Sequence, residues 1–264
     1  MGVIEAASAV RGIELGGYAI DILVQGFPGK TVCHGGLGWS TIVLIRGEGH
    51  VALVDTGGFG VRRLLLERLK QHGLKPADVN DLLLTHAHYD HIVNWTLFGH
   101  ARMVIGADEL TWAIDEPWGE TPVPELYVRE LKDWPTLHAA RDGDEVLPRI
   151  TARMAPGHTP GHLIYVLSGE EGDVIFTGDA AKNRAELLCG RADMTYDARV
   201  SAASIAAING LWGRRPGSIL VPGHDLPMVQ KDGGVEYVGH REATITAWFG
   251  DDLETTTAFE LTVK

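Results

Sequence analysis

The stretch Thr85-His86-Ala87-His88-Tyr89-Asp90-His91 places four metal-capable side chains, His86, His88, Asp90 and His91, within six residues. One histidine can simply cap a loop, but three with an aspartate between them form a donor cluster. Imidazole and carboxylate donors without thiolate suit Zn²⁺ first, with Mn²⁺, Fe²⁺ or Co²⁺ as alternatives. A site that keeps coordination positions open lowers the pKa of bound water toward neutrality and makes hydroxide available as a nucleophile. A structural zinc site is more often saturated by four ligands, commonly cysteines.

One loop cannot surround two ions, so a binuclear site needs donors from elsewhere. Three later segments offer them: Ala155-Pro156-Gly157-His158-Thr159-Pro160-Gly161-His162, Thr177-Gly178-Asp179 and Pro222-Gly223-His224-Asp225. The elements that position these groups are short apolar strands. Leu82-Leu83-Leu84, Ile150–Met154, Val174-Ile175-Phe176 and Ile219-Leu220-Val221 each run into one of the donor segments. The three later strands stop near a glycine, where the backbone can turn tightly and present a side chain.

With these residues in order, the chain resembles the metallo-β-lactamase fold superfamily of hydrolases. The resemblance runs from Val54-Asp55-Thr56-Gly57 to Gly223-His224-Asp225 and covers most of the length. It implies two divalent ions, one held by His86, His88 and His158, the other by Asp90, His91 and His224, with Asp179 bridging them. Asp55 matches the family's early aspartate, which orients the ligand loop. The implied fold is an α/β αββα sandwich, two mixed sheets flanked by helices; periodicity alone supports only α/β with two or more layers. The chain reads as two halves, one up to about Gly106 and one from about Val146.

At 264 residues, one layered α/β domain spanning 1–264 is expected, with a substrate cap inserted around 108–135. The apolar fraction of 45% and charged fraction of 22% are those of a soluble globular protein rather than a disordered one. Helical periodicity marks Val61–Lys70 and Ala198–Trp212. No apolar run is long enough for a membrane span, and no secretion signal is seen, so cytoplasmic residence without a membrane partner is expected. A net charge of −12 argues against a nucleic-acid partner. A small-molecule substrate is expected, and a homodimer is left open. Cys33 and Cys189 fit no ligand spacing and read as free buried thiols.

The cap segment Asp108–Trp134 crowds Trp112, Trp118, Tyr127 and Trp134 among prolines, as substrate-pocket walls or as packing. The glycine-rich stretch Phe27–Trp39 is a second wall and a possible flap, with His34 a substrate contact or a bystander. His162 reads as packing or as support for the ligands. Strand-like alternation would turn Tyr89 into the core.

Among branches of the superfamily, Asp179 disfavours the β-lactamases, which place cysteine or serine there, and His88 disfavours the flavo-di-iron proteins. Nuclease branches need a basic exosite or an extra domain that is not visible. The N-acyl homoserine lactonases match best in length, ligand set and motif spacing, with one departure. Where that branch has a tyrosine after the bridging aspartate, this chain has Lys182 in Asp179-Ala180-Ala181-Lys182. A lysine there offers electrostatic help to a carbonyl, a grip on a substrate carboxylate, or only a surface charge. The reading is a hydrolase attacking a lactone, ester or amide carbonyl with a hydroxide shared by two ions, Asp90 shuttling the proton and Lys182 assisting. Glyoxalase-type thioester hydrolysis and a mononuclear-iron persulfide dioxygenase are the alternatives.

Overall fold

The computed structural model describes residues 12–31, 35–241 and 243–262. Seven strands lie side by side in chain order in the first sheet: Ile13–Leu15, Tyr18–Val24, Ile42–Gly47, His50–Val54, Asp81–Leu83, Arg102–Gly106 and Leu137–Ala140. The second sheet is also seven-stranded and in chain order: Glu145–Leu147, Ile150–Met154, Leu163–Ser168, Asp173–Gly178, Ile219–Pro222, Met228–Lys231 and Gly234–Tyr237. The chain therefore builds one sheet and then the other, as the two-part reading expects.

Period-two alternation explains why the sheets stack. Val43, Ile45, Ala52, Val54 and Leu83 of the first sheet face Tyr165, Val174, Phe176 and Val221 of the second in one buried cluster. The alternate residues Leu44, Leu53 and Leu82 pack on the opposite face with helix residues Leu65, Leu69, Leu110 and Val128. Ile175 and Leu220 likewise meet Ile205, Ile208 and Trp212 outside the second sheet. The result is the helix–sheet–sheet–helix layering the resemblance implies. Burying one such aliphatic side chain is worth about 1.5–3 kcal/mol, so a one-residue register slip, which exchanges the faces, is strongly disfavoured.

Parallel pairing gathers the donors. A parallel pair requires a crossover, so both strands deliver their following residues to the same edge. His50–Val54, Asp81–Leu83 and Arg102–Gly106 are parallel, which brings Asp55 beside Thr85 and His86. The helix Arg62–Gln71, one residue beyond the periodicity, makes the first crossover and buries Leu65 and Leu69 at i and i+4. In the second sheet Asp173–Gly178 pairs in parallel with Ile219–Pro222, setting Gly178 opposite Pro222. The helix Ala198–Trp212 connects them, capped by the Asp197 carboxylate, which accepts from the Arg199 and Val200 N–H groups.

The segment after the first sheet's sixth strand forms two helices, Ala107–Asp115 and Glu125–Lys132. Cys189 is exposed, contrary to the buried thiol expected, because it ends the short helix Arg184–Cys189 on its solvent side. Cys33 and His34 lie outside the described residues. No helix among the described residues is long and apolar enough to cross a membrane.

Candidate metal centre

Asp55 follows the fourth strand with a left-handed backbone, φ 56°. One of its carboxylate oxygens accepts the Thr85 N–H at 2.8 Å; the other accepts the Thr85 hydroxyl at 2.8 Å and His91 Nδ1–H at 2.7 Å. This single buried side chain moors the start of the histidine loop and fixes which nitrogen of His91 points away from it. With Nδ1 engaged, His91 Nε2 is left as the donor atom.

Seven side chains from four segments converge at the shared edge. His88 Nδ1 lies 3.0 Å from His158 Nε2. Asp90 Oδ2 lies 3.3 Å from His224 Nε2, and His224 Nε2 lies 3.4 Å from His91 Nε2. Asp179 reaches both groups: Oδ2 is 3.3 Å from His158 Nε2, and Oδ1 is 3.2 Å from His91 Nε2 and 3.3 Å from His224 Nε2. Donor atoms of His86, His88 and His158 all fall within 4.8 Å of one another, as do those of Asp90, His91 and His224, and those of His86, His91 and Asp179. The structure thus brings together all seven residues named from the sequence.

These residues fit divalent metal on the structure's own terms. Buried polar atoms are almost always hydrogen-bonded, yet His86 Nε2 has no hydrogen-bond partner. His86 Nδ1 sits 3.0 Å from the Thr85 hydroxyl, which leaves Nε2 free to donate its lone pair. An unsatisfied imidazole nitrogen amid crowded nitrogen and oxygen donors is what a cation between them accounts for.

Glycine makes the close approach possible. A side chain at Gly223 would place its first carbon 2.2 Å from Asp179 Oδ1 and 2.6 Å from the Gly178 carbonyl oxygen. Only a residue without Cβ lets the strand end bearing His224 lie against the strand end bearing Asp179.

Charge is divided across the site. Burial pulls His88 down to about 4 and, with the neighbouring imidazoles, holds His86 well below the usual histidine range. For His224, burial is outweighed by the Asp179 and Asp90 carboxylates, which push it up to about 9. His91 is likewise raised against its burial, by Asp179, Asp90 and Asp55. Both shifts favour the protonated imidazole, so a cation competes with protons for these nitrogens. Adding Zn²⁺ to chelator-stripped protein in weak buffer at pH 7 is therefore expected to acidify the solution. The His224 share should vanish as the starting pH rises past about 9. An indicator dye reads the result, and binding without acidification would place the ions elsewhere.

His88, Asp90, His158, Asp179 and His224 line a cavity of about 800 Å³. Phe27, Pro28, Trp112, Pro122, Met194 and Tyr196 also line it. Of the four cap aromatics, only Trp112 lines this cavity; Trp118 lies under Arg129, Tyr127 meets Phe59 and Trp134 meets Trp95. Tyr89 does not turn into the core: it is half-exposed and lines the cavity, because it opens a helical turn, Tyr89–Ile92, where alternation does not apply. Lys182 also lines the cavity, its Nζ donating to the Asp193 carbonyl at 2.6 Å and lying 3.1 Å from Glu186.

His162 supports the centre, accepting the Asp179 N–H through Nε2 at 3.0 Å and stacking on His86. Sequence reasoning passed over Thr85, the Met194–Tyr196 wall and Glu109. The signal for Glu109 was present: an acid beside Leu110 and one turn before Ala113, on the buried stripe of the helix Ala107–Asp115.

The chain matches the model of the Metallo-beta-lactamase superfamily over residues 35–224. It is 27% identical over 195 residues to metallo-beta-lactamase domain-containing protein 1 of Xenopus laevis, covering 71% of each chain. It is 24% identical over 162 residues to an N-acyl homoserine lactonase of Bacillus thuringiensis, covering 60% of each. Among solved structures, the dizinc quorum-quenching lactonase AidC superposes with a TM-score of 0.68 at 18% identity, over 88% of this chain and 98% of that one. The matched span contains every one of the seven converging donors, and the chain belongs to the metallo-beta-lactamase superfamily as a metal-dependent hydrolase.

Proposed function

We propose that the protein is a binuclear hydrolase acting on the carbonyl of a small lactone, ester or amide, with lactones favoured and zinc the first choice of metal. The observation that carries the reading is Asp179, whose two carboxylate oxygens face the two donor trios separately. The likeness to lactonases in sequence and fold supports the lactone preference.

Bound divalent ions supply Lewis acidity and a nucleophile available at neutral pH. The chain's own residues do the rest. Asp90 is the donor carboxylate with the greatest access to the cavity: its side chain is 21% exposed, against 6% for Asp179. It is therefore placed to take a proton from the attacking group and hand it to the leaving oxygen or nitrogen. The Lys182 ammonium has three N–H donors, of which the Asp193 carbonyl and Glu186 occupy two. The third is available to a substrate carbonyl or carboxylate oxygen in the cavity. The aromatic and apolar walls suit an acyl or aryl portion and exclude water from it.

The test is a panel of lactones, aryl esters, thioesters, amides and phosphodiesters, assayed on metal-loaded protein with a chelated control. Chelator-sensitive turnover led by lactones is the expected result. Turnover of phosphodiesters alone would overturn the carbonyl reading. About one iron per chain together with oxygen uptake would replace hydrolysis with the dioxygenase alternative.

A further inference from the structure

The helix Ala107–Asp115 carries a fully buried carboxylate, Glu109, that the hydrolytic chemistry above does not use. Its Oε1 accepts the N–H of Ala87, the residue between His86 and His88, at 2.7 Å. Its Oε2 accepts the hydroxyl of Thr159, next to His158, at 2.6 Å and the Gly161 N–H at 3.1 Å. These two loops come from different sheets. Their roots are joined by the Leu163 N–H to the Thr85 carbonyl and by the Tyr165 hydroxyl to the Leu84 carbonyl. Glu109 joins them further out, at the residues beside the donors.

We propose that Glu109 is a positioning residue that sets the spacing of His86, His88 and His158 by gripping the backbone of both donor loops with one carboxylate. This rests on the reading of those three histidines as a metal-binding trio.

Three features argue for a dedicated role. The first is chemical: three donors converge on two oxygens, and a carboxylate is the one side chain of this length with both oxygens able to accept. Glutamine would turn an NH₂ group toward donors at one end. The second is energetic: the hydrogen-bond partners of this buried acid are all uncharged, an arrangement costly enough that general packing does not explain it. The third is steric: a Cβ at Gly161 would lie 1.9 Å from the Glu109 backbone nitrogen, so the His158 loop rides directly on the helix. One turn further along, Trp112 stands edge-on to His88 with ring centroids 6.2 Å apart. The helix that spaces the donors thus also walls the cavity above them.

Glu109→Gln, tested on the full chain, separates this role from bulk stability. Chelator-stripped protein is titrated with Zn²⁺ against a chromophoric competitor and with Co²⁺ followed by its visible absorption. The expected result is that one of the two ions is bound about 10–100-fold more weakly, the range for lost outer partners of metal ligands. The other ion is retained, and the melting temperature of the metal-free protein stays close to that of the parent. Thr159→Val, which removes one donor and keeps the carboxylate, should weaken the same ion by a smaller factor. If Glu109→Gln fails to fold, the Thr159→Val titration decides. Two ions bound at parental affinity would overturn the proposal, as would equal weakening of both ions in step with a falling metal-free melting temperature. Because metal binding is the readout, a failure of the carbonyl-hydrolase reading leaves this test intact.

Discussion

Asp179→Asn protein is expected to hold no more than one tightly bound divalent ion per chain and to lose nearly all turnover. The change preserves shape and volume, so the effect isolates charge and donor type. In the parent, Oδ1 stands 3.2 Å from His91 Nε2 and Oδ2 stands 3.3 Å from His158 Nε2, which makes this residue a donor to both trios at once. An amide keeps one oxygen and turns an N–H₂ group toward whichever trio it meets, where it cannot coordinate. The carboxylate, although buried, is held well below its usual range by His224, His91 and His158, so the native site relies on its negative charge. Metal affinity should fall by more than the about 10–100-fold that outer partners of a ligand are worth. Metal analysis after gel filtration checks the stoichiometry. Two retained ions with near-normal turnover would remove Asp179 from the bridging position.

Asp90→Asn should separate chemistry from metal binding. Asp90 Oδ2 lies 3.3 Å from His224 Nε2 but 3.8 Å from His91 Nε2, the looser end of its trio. An asparagine oxygen can still face His224, and five imidazoles and Asp179 still surround the ions. The amide has no basicity, so it cannot accept a proton from the attacking group. We expect kcat to drop by about 10²–10⁴-fold, the usual worth of a positioned acid–base group, with metal content near the parent's. The pH profile should lose the limb that reports the carboxylate. Equal losses of metal and turnover would show that its role is ligation alone.

How much could be read from the residues differs from one part of the site to the next. The donor segments were visible because metal chemistry restricts residue type sharply and places candidates at strand ends, and the resemblance picked the set of seven from among them. Asp55 was visible only through the resemblance. Local pattern misled at Tyr89, where a helical turn replaced alternation, and at Cys189, where the end of a short helix put the thiol in solvent. The cap aromatics were seen as a group, yet Trp112 alone among the four turned to the cavity. Helical direction sorts such side chains, and crowding in sequence carries no direction.

By itself the sequence displayed the candidate donor segments, the strands that run into them and the order of the elements. These follow from side-chain chemistry and short-range periodicity, which are local properties. Only the tertiary structure decided that Glu109 ties the loops of two sheets and that Lys182 turns to the cavity while held by Asp193 and Glu186. The Glu109 contacts join residues tens of positions apart across the two stacked sheets. Distances of that kind exist only after the chain has closed on itself, because no local preference encodes how far one strand end sits from another.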